Sequence, residues 1–247
     1  MYSITVFGTG SRGNSALVSD GETKILIDAG VRLDIVQRAT SLFEIAALLI
    51  THEHGDHAEY AHICSERYSM PVYTTAGTIK KLDIPEWRKN IIHYGKAFPL
   101  GGTLTITPFP LSHDATEPCG FYIKNALGET LVWASDTGTM EGLEMAHPAD
   151  CYVLEANYDE AEIDRKLEAN ELPYAGLHGR LTSEFGHLSV QQAAAWLKEN
   201  AGDNSNFIVL SPHPEIFNGN FHLFNGIYVE FPMKFPWSYE FGKKCPF

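Results

Sequence analysis

Apolar and polar positions alternate along this chain in short blocks, a pattern that predicts more strands than helices. Residues 4–7 form a β-rich run, followed by the glycine-rich stretch Gly8-Thr9-Gly10-Ser11-Arg12-Gly13-Asn14. Residues 15–18 and 24–27 predict a hairpin turning at Asp20-Gly21. Residues 33–42 have helical spacing. Residues 46–50 are short and apolar on both faces, which predicts a buried strand running into a polar loop. A helix over 58–68 and a strand over 71–73 follow. Further strands are predicted at 104–109, 120–123, 130–134, 151–154 and 207–210, with helices over 159–170 and 189–199. Ser189 is a suitable N-cap for the last helix. No repeat, low-complexity segment or linker interrupts this order. It predicts one layered α/β or α+β domain over residues 1–247 with helices outside the sheets.

The last part of the chain is unusual. Residues 215–247 hold seven of the 14 phenylalanines, with Tyr228, Trp237 and Tyr239. A flap or hairpin packed on the core is one expectation, and a homodimer contact or substrate-facing wall is the other, because aromatics are enriched in interface cores.

Composition narrows the class. The 247 residues are 44% hydrophobic and 20% charged, near globular averages, so a disordered or fibrous chain is excluded. The net charge of −13 argues against non-specific coating of nucleic acid. It does not exclude phosphate chemistry at a metal centre, where bound cations are the largest local charges. The four cysteines, Cys64, Cys119, Cys151 and Cys245, are far apart and suggest no disulfide framework. No signal peptide and no membrane span is legible, so a soluble cytoplasmic protein is expected. The clusters Lys80-Lys81 and Arg88-Lys89 read as a solvated face, with a nucleic-acid track as the minority reading.

One segment carries most of the chemistry. Thr51-His52-Glu53-His54-Gly55-Asp56-His57 places three histidines and two carboxylates directly after a buried strand. Histidine and aspartate are common ligands of zinc and similar ions. On an extended strand end, His52 and His54 point the same way and can grip one ion. A turn at Gly55 lets Asp56 and His57 swing towards a second. Three further strand ends offer His113, Asp136 and His213. Together these residues form a seven-ligand set, enough for two ions sharing Asp136.

This ligand order resembles that of the metallo-β-lactamase fold hydrolases. The resemblance implies an αββα sandwich with the metals where strand-end loops meet. It implies that His52, His54 and His113 hold one ion, that Asp56, His57 and His213 hold another, and that Asp136 bridges them. The loop Gly10-Ser11-Arg12-Gly13-Asn14-Ser15 and the motifs Leu26-Ile27-Asp28-Ala29-Gly30, Pro110-Leu111-Ser112-His113-Asp114-Ala115, Leu154-Glu155-Ala156-Asn157 and Gly186-His187-Leu188-Ser189 narrow the match. They are similar to the YycJ/WalJ-like exonuclease branch and related phage proteins, over about residues 1–215. Near the last ligand, Leu210-Ser211-Pro212-His213-Pro214 departs from that branch, with the histidine displaced by about one residue.

The resemblance implies a phosphodiesterase acting on DNA in the 5′-to-3′ direction, with two Zn²⁺ or Mn²⁺ ions and a metal-bridging hydroxide as nucleophile. Asp56, Asp136 and His187 are the expected catalytic residues. His187 is expected to contact substrate phosphate or assist the leaving group, or else to make a structural hydrogen bond. Asp28 and Asn157 are candidates for orienting the ligands, Asp28 otherwise as a turn cap and Asn157 as the cap of a helix starting near Tyr158. Ser11 and Asn14 are candidates for substrate contact through the glycine loop. A small-molecule hydrolase of the same fold (cyclic nucleotide phosphodiesterase, thioesterase or lactonase) is the alternative. A metal-stabilised binding module that partners a recombination or repair protein is the third reading.

Overall fold

A computed structural model describes residues 2–146, 148–203 and 205–210, together with the backbone of residues 237–240. His213 and most of the aromatic segment lie outside the described residues. The elements in chain order begin with β1 (Ser3–Gly8), β2 (Ser15–Ser19), β3 (Lys24–Ile27), α1 (Leu33–Val36), β4 (Ala47–Leu49), α2 (Gly55–Ala58) and α3 (Ala61–Arg67). Then come β5 (Val72–Thr75), α4 (Ala76–Ile79), β6 (Lys89–Ile92), β7 (Phe98–Leu100), β8 (Leu104–Pro110), β9 (Cys119–Asn125) and β10 (Thr130–Ala134). The chain continues through β11 (Cys151–Glu155), α5 (Glu160–Glu168), α6 (Leu177–Thr182), α7 (Val190–Asn200), β12 (Asn206–Leu210) and β13 (Trp237–Glu240).

Among the described residues these strands form two mixed sheets. One has the order β13-β1-β2-β3-β4-β5-β6 and the other β12-β11-β10-β9-β8-β7. Their alternating side chains explain the sandwich. In β3, Ile25 and Ile27 face the second sheet while Leu26 faces the helices, and in β11 Val153 and Tyr152 divide the same way. The central core therefore lies between the sheets, where Ile4, Val18, Leu49, Ile106, Phe121, Leu131 and Ile208 are all buried. Outer layers close it. Leu33, Val36, Ala61, Cys64 and Ile79 of the first helices cover one sheet, and Ala193 and Leu197 of α7 cover the other. This is an α/β sandwich of four layers. No helix among the described residues is long and apolar enough to cross a membrane.

Two predicted helices are shorter than their spacing suggested. The stretch 33–42 is α-helical only over Leu33–Val36, and tighter turns follow, with Arg38 N–H donating to Ile35 O and Ala39 N–H to Val36 O. The β-branched Ile35, Val36 and Thr40 weaken α propensity there. The helix expected over 58–68 is split into α2 and α3, because Tyr60 N–H donates to Ala29 O instead of closing a helical turn. α7 forms as expected, and Ser189 closes a full capping box with Gln192.

Candidate metal centre

The candidate residues gather where the carboxyl ends of β3, β4, β10 and β11 meet the loops that follow β1, β8 and α6. Two of the carboxylates stand immediately after strands in the left-handed region: Asp28 at φ +58° and Asp136 at φ +45°. Few non-glycine residues adopt this conformation, and strain of this kind concentrates at functional sites. From there Asp28 accepts from Thr51 N–H at 2.8 Å beside the neighbouring β4, and Asp136 Oδ2 lies 3.2 Å from His57 Nε2.

The histidines are oriented by what their Nδ1 atoms touch. His57 Nδ1 lies 2.8 Å from Asp28 Oδ2, and both groups are buried. His113 Nδ1 lies 3.2 Å from Gly186 O, a carbonyl that can only accept, so Nδ1 carries the proton. Thr51 Oγ1 donates its one proton to Asp28 and so accepts from His52 Nδ1, 3.0 Å away. Each of these rings then presents its Nε2 to a common space. There, Asp136 Oδ2 lies 3.2 Å from His57 Nε2, 3.8 Å from His113 Nε2 and 4.0 Å from His52 Nε2.

This arrangement fits divalent metal ions. The donor atoms of His52, His54 and His113 lie within 4.8 Å of one another, as do those of His52, His57 and Asp136. His52 Nε2 is buried with no hydrogen-bond partner among the described residues, the state expected of a nitrogen whose lone pair is reserved for a cation. Burial, reinforced by positive charge on His57, pushes His52 well below the usual histidine range, and burial also lowers His113 despite Asp136. Neutral imidazole is the ligating form. Burial disfavours charge on Asp136, but His57 and His52 outweigh it and hold the carboxyl well below its usual range. His57 is buried too, yet Asp136 and Asp28 on its two sides raise it well above the ordinary value. The centre therefore attracts positive charge.

The glycine loop is the buttress beneath. Asn14 N–H donates to Asp56 O at 2.7 Å, and Asn14 Nδ2 lies 2.9 Å from His57 Nε2. Asp56 Oδ2 is 3.9 Å from His57 Nε2. Gly30 N–H closes the junction on Asn14 O. Ser11 is exposed in the same loop. Asn157 is not the helix cap, since Asp159 accepts from Glu162 N–H and starts α5. Asn157 Oδ1 has no hydrogen-bond partner among the described residues, and no contact places it with the histidines.

Sequence reasoning assigned no role to Glu155. This carboxylate is fully buried at the end of β11 and accepts from His187 Nδ1 at 2.6 Å, Thr137 N–H at 2.9 Å and Leu188 N–H at 3.3 Å. Burial opposes charge on His187, but Glu155 outweighs it and pushes the imidazole up to about 9. Burial likewise raises Glu155 above its usual range, against the pull of His187. The pair therefore holds a proton firmly beside Asp136. The sequence signal was a charged residue closing the otherwise apolar run of a buried strand.

A two-sheet sandwich with a histidine–carboxylate cluster at its strand ends defines a metallo-β-lactamase-fold, metal-dependent hydrolase. The chain belongs to the beta-lactamase superfamily domain family, whose model matches residues 23–206. It is similar to the exodeoxyribonuclease YycJ of Bacillus anthracis, with 29% identity over 84% of this chain and 81% of that protein. The exodeoxyribonuclease WalJ of Streptococcus pneumoniae is also 29% identical, over 85% of this chain and 80% of that protein. The metallo-beta-lactamase fold protein YhfI of Bacillus subtilis shares the fold. Its TM-score is 0.72 at 18% identity, covering 96% of this chain and 98% of that one.

Proposed function

We propose that the protein is a dinuclear metal-dependent phosphodiesterase that degrades DNA from its ends, in the 5′-to-3′ direction. The observation that carries this reading is the convergence of three histidine Nε2 atoms on Asp136 Oδ2, with the Glu155–His187 pair alongside. The exodeoxyribonuclease names of the relatives support DNA as substrate. His52, His54 and His113 would hold one ion, and Asp56, His57 and His213 the other. Asp136 would serve both, and the ions would be Zn²⁺ or Mn²⁺. Bound ions of this kind supply water of lowered pKa and neutralise charge on phosphate oxygens.

The protein's own groups do the rest. Asp28 keeps the proton of His57 on Nδ1 and so frees Nε2. Burial opposes charge on His187, but the Glu155 carboxylate on Nδ1 outweighs it and favours the protonated imidazole. Nδ1–H stays on Glu155, and Nε2–H is the one available to a departing alkoxide oxygen. Asn14 and Gly30 fix the loop that carries Asp56.

The test is a time course on 5′- and 3′-end-labelled single- and double-stranded DNA, with Mn²⁺ or Zn²⁺ restored after chelation. Stepwise loss from the 5′ end, dependent on metal and abolished in His54→Ala and Asp136→Ala, is expected. Intact DNA in the presence of bound metal would overturn the nuclease reading. The net charge of −13 would then favour the small-substrate reading, with cyclic nucleotides, thioesters and lactones as candidates.

A further inference from the structure

The loop after β8 carries a second carboxylate that the expected ligand set does not use. Asp114 Oδ1 lies 3.1 Å from His113 Nε2 and 3.9 Å from His54 Nε2. Both nitrogens belong to the His52–His54–His113 group. The spacing matches that of Asp136, whose Oδ2 is 3.8 Å from the same His113 atom. Asp114 thus approaches the group from the solvent side, 64% exposed, while Asp136 closes it from within at 10%.

The loop is also anchored. Glu53, between the two leading histidines, accepts from Thr116 N–H at 2.8 Å and from the Thr116 hydroxyl. Burial works against its charge, but these Thr116 bonds hold the Glu53 carboxyl below its usual range. Glu117 accepts from Gly77 N–H through its side chain, and its carbonyl accepts from Thr75 Oγ1 at 2.6 Å. A Cβ on Gly77 would lie 2.6 Å from the Glu117 Cβ, so the close approach depends on glycine. Asp114 is therefore exposed on a loop whose next residues are clamped from two sides. An ordinary surface carboxylate has no such support.

We propose that Asp114 Oδ1 is a further ligand of the ion held by His52, His54 and His113, and that it biases this site towards Mn²⁺ over Zn²⁺. The inference rests on the reading that these three histidines hold an ion. Zinc is satisfied by four ligands, whereas manganese favours larger, oxygen-rich spheres and binds nitrogen donors weakly. A second carboxylate oxygen supplies what manganese needs and zinc does not.

The test uses the full chain stripped by chelation and titrated calorimetrically with Mn²⁺ and Zn²⁺, in the wild type, Asp114→Ala and the control Asp34→Ala. Asp34 is an exposed carboxylate on α1 paired with Arg32 and Arg38. Co²⁺-loaded samples add a spectroscopic readout, because visible d–d absorption strengthens when coordination number falls. Asp114→Ala is expected to lose Mn²⁺ affinity by about tenfold or more, and Zn²⁺ affinity by clearly less. Its Co²⁺ absorption is expected to strengthen, while Asp34→Ala matches the wild type. An Asp114→Ala variant that matches Asp34→Ala in both readouts overturns the proposal. So does equal weakening of both metals with an unchanged Co²⁺ spectrum, the mark of a general charge effect. A wild type that binds neither ion removes the metal-centre reading itself, and this proposal with it.

Discussion

His57 sits between two carboxylates, with Asp28 on Nδ1 and Asp136 beyond Nε2. The first fixes which nitrogen faces the cluster, and the second would be shared by the two proposed ions. Asp28→Asn keeps the shape but lets the amide N–H face the ring, so the tautomer is no longer enforced. Affinity for the second ion is expected to fall about 10- to 100-fold, measured by metal titration, with little change in circular dichroism. A different residue-scale effect follows from His187. Its folded pKa is raised to about 9 from the ordinary histidine value of 6.5. A raised pKa means that the protonated pair with Glu155 stabilises fully below pH 6.5 and that this contribution is lost as pH rises through 9. It amounts to about 3 kcal/mol. In chelated protein, the Tm advantage of wild type over His187→Gln should therefore shrink steadily between pH 6.5 and 9. An advantage that is constant across that window would show that the pair does not hold the proton.

At the scale of elements, the site depends on how closely three loops approach. A Cβ on Gly30 would lie 1.7 Å from Asp56 O and 2.3 Å from Asp56 C, backbone atoms that cannot rotate aside. Gly30→Ala must push the loop after β3 away from α2, which carries Asp56 and His57. The expected cost is about 3 kcal/mol, at the upper end of overpacking, and about a 10 °C drop in Tm. A variant that melts within 2 °C of wild type (about 1 kcal/mol or less) would show that the junction is looser than described. The strands were legible in sequence because their apolar runs are short and bounded by glycine and polar turns, as at Asp20-Gly21. The short elements β6, β7, α4 and α6 were not. Lys89-Asn90 opens β6 with polar residues, Pro99 interrupts β7, and α6 is held by Leu177 and Leu181 against Tyr158 and Ile163. Such elements exist through tertiary packing, which a single-sequence pattern does not report.

At the scale of the whole molecule, the two sheets bring together residues more than 100 positions apart, from Asp28 to His187. The ligand candidates were legible because histidine and aspartate clustered after apolar runs. Glu155 was not, because its partner His187 lies 32 residues further on and only the sandwich joins them. An acidic chain of net charge −13 concentrates further negative charge in one buried cluster, and bound cations would make that tolerable. The most direct measurement is the metal content of the purified, dialysed chain by mass spectrometry, for wild type and Asp136→Ala. Two divalent ions per wild-type chain and a clear loss in the variant are expected, since Asp136 Oδ2 faces both histidine groups. One ion or none in the wild type, or two ions retained without Asp136, would contradict the shared carboxylate on which the proposed chemistry rests.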